Sequence, residues 1–412
     1  MDSGKLLAIE DRIFTERRIL VCASTAAIAY MIGLVIRVLR HQWLVRDDGT
    51  QKCIDFTSMW VSGTFAVSGN AAGIYHTSAW QAAWQGLTGL KDCMLASGHT
   101  SYPPTLLFFT YPLGLMPYSA AFGTWMGGTL LLYLAAIYLI IPRSAAVIAA
   151  LTPFWLIFNI LLGQNGFLTA GLIGLSLVFV ARRPWLSGIL IGLLSYKPQF
   201  GVLFPFALLA SRNWRALVSA TTASLTVIIA AALAFGYEAW PSFIKSFLDR
   251  DLGNLGADEG VRLTLQSMFG LWSWIGAAPS ISWTAHLVVA TFVTLSVYFV
   301  WAKPFPHSLR AATLCLGIVF VTPYVQVYDL CILSVAAAFF LLDGLVYGFL
   351  PGERAALFVC LAAAYFLILP IGPIISLVLL VLLARRVAVY CRRDSSLGFG
   401  FSSWAWAEHP KV

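Results

Sequence analysis

The run Ala216-Leu217-Val218-Ser219-Ala220-Thr221-Thr222-Ala223-Ser224-Leu225-Thr226-Val227-Ile228-Ile229-Ala230-Ala231-Ala232-Leu233-Ala234-Phe235 holds no ionisable side chain and follows directly on Arg212 and Arg215. As a helix it reaches about 30 Å, the thickness of a bilayer's hydrocarbon core. Comparable runs lie on both sides of it. On the N-terminal side they fall at about Ile19–Val38, Pro103–Met116, Ala120–Ile141, Ala145–Leu162, Phe167–Val180 and Trp185–Leu209. On the C-terminal side they fall at about Ile281–Trp301, Ala311–Val321, Leu330–Leu350, Ala355–Leu369 and Ile374–Leu383. Across the 412 residues, 59% are hydrophobic and 11% charged, where a soluble chain carries about 25% charged residues to solvate its surface. That excludes a soluble enzyme with a large polar exterior, a disordered chain and a collagen-like one. Every backbone polar group in hydrocarbon must be satisfied internally, so the runs read as helices. The fold expected is all-α, a polytopic integral membrane protein of about 10 to 12 transmembrane helices.

Two long polar segments interrupt the runs, residues 40–101 and 236–280. In the first, Phe56–Ala66 and Ser78–Leu87 are helix-compatible, and Trp60, Trp80 and Trp84 suit a membrane interface. The basic residues Lys5, Arg12, Arg17 and Arg18 precede the first run, which is too long for a signal peptide and has no small-residue cleavage site after it. Positive clusters at Arg212/Arg215, Lys303/Arg310 and Arg385/Arg386 then place both termini in the cytoplasm and both polar segments outside. The middle stays open: with Arg182 and Arg183 inside, Pro103–Met116 and the two halves of Trp185–Leu209 are re-entrant; with every run spanning, that pair lies outside. Residues 1–393 read as one transmembrane domain and 394–412 as a cytoplasmic tail.

The net charge of +8 sits in these short clusters, which suits anionic headgroups rather than nucleic acid, and no nucleic-acid partner is expected. No CxxC or Cys/His spacing suggests a metal, and no cofactor is expected. Cys53 and Cys93 share the first polar segment and are either a disulfide or two free thiols.

Side chains that break the apolar background carry the chemistry, because ionisable groups are costly there. Asp55, in Cys53-Ile54-Asp55-Phe56-Thr57, suits a general base at the outer surface or an N-cap for the following helix. Tyr102-Pro103-Pro104 opens a helix and fixes where Tyr102 points. Gly163-Gln164-Asn165-Gly166 interrupts an apolar stretch, and its amides either bond a neighbouring helix or line a polar cavity. In Lys197-Pro198-Gln199 a cation sits mid-run and either meets an anion such as phosphate, snorkels to the interface or joins a structural ion pair. Gln266-Ser267 and Arg262 lie in the second polar segment. Thr322-Pro323-Tyr324-Val325-Gln326-Val327-Tyr328-Asp329 places Tyr328 and Asp329 between two runs, with Asp329 facing Lys197, Arg262 or a ligand.

The order of these motifs resembles glycosyltransferase family 87, integral-membrane enzymes of GT-C type. An Asp-Phe follows the first helix; Gly73-x-Tyr75, Tyr-Pro-Pro, Gly-Gln-Asn-Gly, a membrane Lys-Pro, Gln-Ser and Pro-Tyr…Tyr-Asp come after it, from Asp55 to Asp329. The resemblance implies transfer of a hexose, mannose in family members, from a polyprenyl-phosphate donor to a cell-envelope lipid or glycan acceptor on the extracytoplasmic side of the plasma membrane. It implies Asp55 as catalytic base with inversion. Lys197 and Arg262 are the candidate phosphate ligands, and Tyr102, Gln164, Asn165, Gln266, Tyr328 and Asp329 the other substrate-contacting residues. Polyprenyl chain and membrane lipids complete the expected partners. Arg46-Asp47-Asp48 has no counterpart in the family pattern. A transporter or flippase of a lipid or polyol is the alternative, although no repeat relates the two halves.

Overall fold

The structure is a computed structural model that describes residues 3–44, 47, 51–89, 100–249, 264–363 and 370–397, the last five by backbone alone. Among them helix dominates, and an isolated antiparallel bridge joins Leu265 and Gln326. A short helix α1 (Ser3–Ile13) leads into α2 (Glu16–Leu39). The first polar segment holds α3 (Asp55–Val67), a 3-10 turn (Ala71–Tyr75) and α4 (Thr77–Thr88). Then come α5 (Leu107–Gly114), α6 (Tyr118–Ile140), α7 (Ser144–Ala149), α8 (Phe154–Leu162), α9 (Gly166–Phe179), α10 (Pro184–Gly192), α11 (Leu203–Ala210) and α12 (Trp214–Phe235). The second polar segment holds α13 (Ala239–Leu248) and α14 (Met268–Trp274). The chain closes with α15 (Pro279–Ala302), α16 (His307–Val321), α17 (Cys331–Tyr347), α18 (Glu353–Ala363) and α19 (Ile371–Leu397).

Six of these helices are long and apolar enough to cross a bilayer unaided: Glu16–Leu39, Tyr118–Ile140, Trp214–Phe235, Pro279–Ala302, Val327–Tyr347 and Ile371–Arg392. The remaining apolar runs form shorter helices, so the sequence's ten to twelve runs are not ten to twelve equal rods. Their apolar outer faces, such as Ile28, Met31, Ile32 and Val35 on α2, are exposed, which suits hydrocarbon as solvent. The protein is a polytopic all-α membrane protein.

Contacts between helix ends sort the basic clusters. Glu10 accepts from the backbone N–H of Gly352 at 3.2 Å and of Ala355 at 3.0 Å. Arg143 pairs with Glu16 at 3.7 Å, and the His307 ring bonds the Leu177 carbonyl oxygen at 2.8 Å. Asn213 donates to the Val180 carbonyl at 2.9 Å. Arg182, Arg183, Arg212, Arg215, Arg143, Lys303 and Arg354 therefore gather at the end of the bundle that holds α1. Both long polar segments lie at the other end.

The same contacts resolve the middle of the chain in favour of re-entrance. α10 rises from Arg183 against α12, with Gly188 and Gly192 so close that an added Cβ would sit 2.4 Å from Ser219 and 2.5 Å from Ala223. Small residues permit this approach. A 3-10 turn (Leu193–Tyr196) follows, the chain reverses around Lys197, and α11 returns it to Arg212. Counting from the Gly192–Ala223 contact, the reversal stops roughly 10 Å short of the end of α12. The segment Pro104–Gly114 also starts and finishes at the polar end, since Trp60 donates its indole N–H to the Met116 carbonyl at 3.0 Å.

The helices expected in the first polar segment are present, but three of its tryptophans are placed differently from the expectation. Trp60, Trp80 and Trp84 are buried inside the protein rather than laid along an interface. Trp80 stacks on Phe65 with ring centroids 6.3 Å apart. Burying such rings on protein contributes more than leaving them half-solvated, so α3 and α4 clamp each other as a rigid roof.

At the opposite end an acid inside the run Leu330–Leu350 finds a partner. Asp343 and Glu353 are fully buried and both pair with Arg386, while Ser308 donates to Asp343 at 2.7 Å. The cluster ties α16, α17, α18 and α19 together near the basic end. Residues 398–412 of the expected tail lie outside the described residues.

Candidate active site

The site is built where four chain reversals meet under the roof. The first is Gly163-Gln164-Asn165-Gly166. Gly163 ends α8 with φ +68°, a left-handed conformation that favours glycine. A Cβ there would stand 2.4 Å from the Cβ of Phe56, so glycine also lets this loop touch the first turn of α3. Trp125 fixes the turn by donating to the Gly163 carbonyl at 3.1 Å. Gly166 opens α9, and an added Cβ would lie 2.0 Å from the Tyr328 carbonyl oxygen. One tetrapeptide thus approaches α3 on one side and the Tyr328-Asp329 turn on the other.

The two amides between these glycines face opposite ways. Gln164 Nε2 donates to Asp55 Oδ2 at 2.8 Å. Asn165 Nδ2 donates to the Tyr102 hydroxyl at 2.8 Å, and its Oδ1 accepts from Lys197 Nζ at 3.0 Å. Lys197 in turn pairs with Asp329 Oδ1 at 2.5 Å. Asp329 closes the chain of contacts through a capping box, accepting from the Gln326 backbone N–H at 3.1 Å while the Gln326 side chain accepts from the Asp329 backbone. Asp55, Gln164, Asn165, Tyr102, Lys197, Tyr328 and Asp329 are therefore brought together.

Asp55 is not the N-cap of α3. That place belongs to Ile54, which makes no side-chain cap bond, and Asp55 is the first helical residue. A carboxylate there still gains from the helix dipole. It is half-buried, and its Oδ1 receives no hydrogen bond among the described residues. Burial raises its pKa above the usual carboxylate value, and the Gln164 bond partly offsets this. A carboxylate raised in this way is a stronger base.

Lys197 is 3% exposed and Asp329 0%. Of the two partners the sequence allowed for this cation, a phosphate or an ion pair, the structure displays the ion pair. Aromatic faces enclose it, with Phe200 and Tyr328 centroids 4.9 and 5.1 Å from Nζ. Its charge is matched by that of Asp329, which leaves Asp55 as the network's one carboxyl group without a cationic partner among the described residues. Tyr102 is aimed from both ends, because its carbonyl also accepts from the Tyr75 hydroxyl at 2.9 Å. Burial, helped by the charge of Asp329, keeps its phenol protonated.

Gln266 stands beside the network rather than in it. Its Oε1 accepts from the Gly372 N–H at 2.9 Å, and its own N–H donates to the Val325 carbonyl at 2.6 Å. It latches α19 and the 322–330 reversal together. Ser267 caps α14 by accepting from the Gly270 N–H at 3.0 Å. Arg262 and Cys93 lie outside the described residues, as do Arg46 and Asp48. Cys53 is half-buried next to Asp55. Among the described residues no three His, Cys, Asp or Glu side chains cluster as metal ligands would.

Sequence reading missed Arg37 and Lys52, which line a cavity beside Asp55. The signal was there for Arg37, a guanidinium inside the last turn of an apolar helix. Asp343 was missed in the same way, an acid inside an apolar run.

No curated protein and no solved structure matches the chain. A family model does: glycosyltransferase family 87, over residues 100–323. The match takes in Tyr102, the Gly-Gln-Asn-Gly turn and Lys197, while Asp55, Tyr328 and Asp329 fall outside it and are joined to it by the contacts above. Since the match covers more than half of an all-helical membrane chain, and its core residues are the ones that hold the buried network, the chain belongs to glycosyltransferase family 87 and is a membrane glycosyltransferase.

Proposed function

We propose that this glycosyltransferase moves a hexose, mannose in the first instance, from a polyprenyl-phosphate donor to a hydroxyl of a cell-envelope lipid or glycan, with Asp55 as general base. The observation that carries the reading is the carboxylate of Asp55: half-buried beneath the roof, oriented through Oδ2 by Gln164, and with Oδ1 left for a substrate proton. In the reaction the acceptor oxygen attacks the anomeric carbon from the face opposite the phosphate. The carbon–oxygen bond to phosphate breaks, its electron pair leaves with the polyprenyl phosphate, and the hydroxyl proton passes to Asp55. One displacement at one carbon inverts the anomeric configuration.

Lys197 and Asp329 act here as positioning residues. Their ion pair holds Asn165, Asn165 holds Tyr102, and the same turn presents Gln164 to Asp55. The ammonium's charge is already matched by Asp329 and enclosed by aromatic rings, which disfavours it as a phosphate ligand. Tyr102 and Tyr328 suit contact with the sugar ring.

The basic end of the bundle supports a plasma-membrane orientation with both termini cytoplasmic and Asp55 extracytoplasmic. The test is transfer by the purified protein from radiolabelled polyprenyl-phosphate mannose to envelope extract. Product with the unmodified chain and none with Asp55→Asn is expected. Full activity of Asp55→Asn would overturn the role of Asp55, and no product with any polyprenyl-phosphate hexose would overturn the donor class.

A further inference from the structure

Beside Asp55, at the polar end of α2, lies a cavity of about 390 Å³ lined by Arg37, Trp43, Lys52, Ile54, Leu161 and Leu162 among others. Two of its walls are the segments that carry the site. Lys52 and Ile54 run directly into Asp55, and Leu161 and Leu162 run directly into Gly163 and Gln164. The segment before Lys52 bridges those walls: Trp43 donates its indole N–H to the Leu161 carbonyl at 2.9 Å, and the neighbouring Leu44 carbonyl accepts from the Lys52 N–H at 2.9 Å. Unlike Lys197, neither Arg37 nor Lys52 is paired with a carboxylate among the described residues. Below the cavity α2 is free of protein on most of its circumference, Ala23 being its one buried residue, so that apolar surface leads from the cavity into the membrane.

Two cations without a carboxylate partner among the described residues, above an apolar helix, match one kind of ligand, a phosphate on a long hydrocarbon. We propose that this cavity seats the phosphate of the isoprenyl-phosphate donor, with Arg37 and Lys52 as its ligands and the hydrocarbon lying along α2. The assignment rests on the donor class given under Proposed function and moves the phosphate away from Lys197. It also places charge where the reaction creates it. The donor is a phosphodiester with one negative charge, and the departing isoprenyl phosphate is a monoester with about two. Fixed cations at the leaving oxygen stabilise that added charge more than they stabilise the bound donor, which lowers the barrier. Arg37 offers a planar fork to two phosphate oxygens and Lys52 a point charge.

The experiment measures binding of farnesyl phosphate, which carries the phosphate and an isoprenoid but no sugar, to the full chain in nanodiscs of neutral lipid. Calorimetry reports it. Arg37→Gln and Lys52→Gln should each weaken binding about tenfold. Arg37→Lys should restore most of the loss. Inorganic phosphate and phosphatidylglycerol are the two further arms, and both should compete weakly. Farnesyl phosphate binding that is unchanged in both glutamine variants refutes the cavity while leaving the donor class standing. Absence of any farnesyl phosphate binding to the unmodified chain refutes the donor class and this site together. Variants that lose phosphatidylglycerol association alone assign the cavity to bulk lipid and overturn the proposal. Thermal unfolding of each variant within a few degrees of the unmodified chain excludes misfolding as the cause.

Discussion

The Lys197–Asp329 pair permits a prediction with a magnitude. Both groups are almost fully buried, 3% and 0% exposed, and meet at 2.5 Å. Removing one partner strands the other charge in a low-dielectric interior, which costs about 3 to 5 kcal/mol. An independent ceiling agrees. A stranded carboxylate escapes by taking up a proton, and from a reference pKa near 3.9 that costs about 4 kcal/mol at pH 7; a stranded ammonium sheds one for about 4.6 kcal/mol. Lys197→Met and Asp329→Asn alone should therefore each lose about 4 kcal/mol. The Asn at 329 keeps an oxygen for the Gln326 N–H, so the double variant strands no charge and loses only neutral hydrogen bonds, about 1 to 3 kcal/mol. The coupling between the sites is then at least about 4 kcal/mol, far above the few tenths expected of independent positions. Equilibrium unfolding in mixed micelles, at fixed detergent and pH 7, measures all four corners of the cycle. Additive losses, with the double variant near the sum of the singles, would refute the claim that the pair is a self-neutralising strut. Single variants that cost under about 1 kcal/mol would refute it as well.

Further outcomes follow from the same geometry. Asp55→Asn should abolish transfer while leaving unfolding close to the unmodified chain, as measured by radiolabel transfer and thermal unfolding side by side. Since burial raises the Asp55 pKa, the acid limb of the transfer rate should lie above the reference carboxylate value near 4, activity falling as pH drops through it. Gln164→Met removes the bond that holds this pKa down, so the acid limb should move to higher pH; a limb that stays put or falls would count against the contact. Gly163→Ala forces a Cβ into a left-handed backbone and onto Phe56, and should cost more than 1 kcal/mol by unfolding while lowering kcat more than it raises KM. Cys53 and Cys93 should appear as one linked peptide in a non-reducing mass map, a pairing supported by the free state of Cys22, Cys315, Cys331, Cys360 and Cys391; two alkylated thiols would end it.

The chain's chemistry alone decided the solvent and the fold class. Runs such as residues 216–235 lack the charges that water demands, and an apolar run of about 20 residues without water closes its backbone hydrogen bonds as a helix. The same logic marked Asp55, Lys197 and Asp329 before any contact was known, because an ionisable side chain beside hydrocarbon needs a reason to be there. Which partner supplies that reason is a matter of distance. Lys197 and Asp329 are 132 residues apart in sequence, and Gln164 and Asp55 are 109 apart; local propensity carries no trace of such separations. Only tertiary packing showed that the Gly163-to-Gly166 turn faces two ways, that the two halves of Trp185–Leu209 turn back at Lys197, and that the roof tryptophans point inward. Packing also gave the buried lysine a carboxylate, while Arg37 and Lys52 have none among the described residues. Hydrophobic pattern is a one-dimensional quantity and survives in the sequence, whereas charge neutralisation is a pairwise one and exists only once the chain has folded.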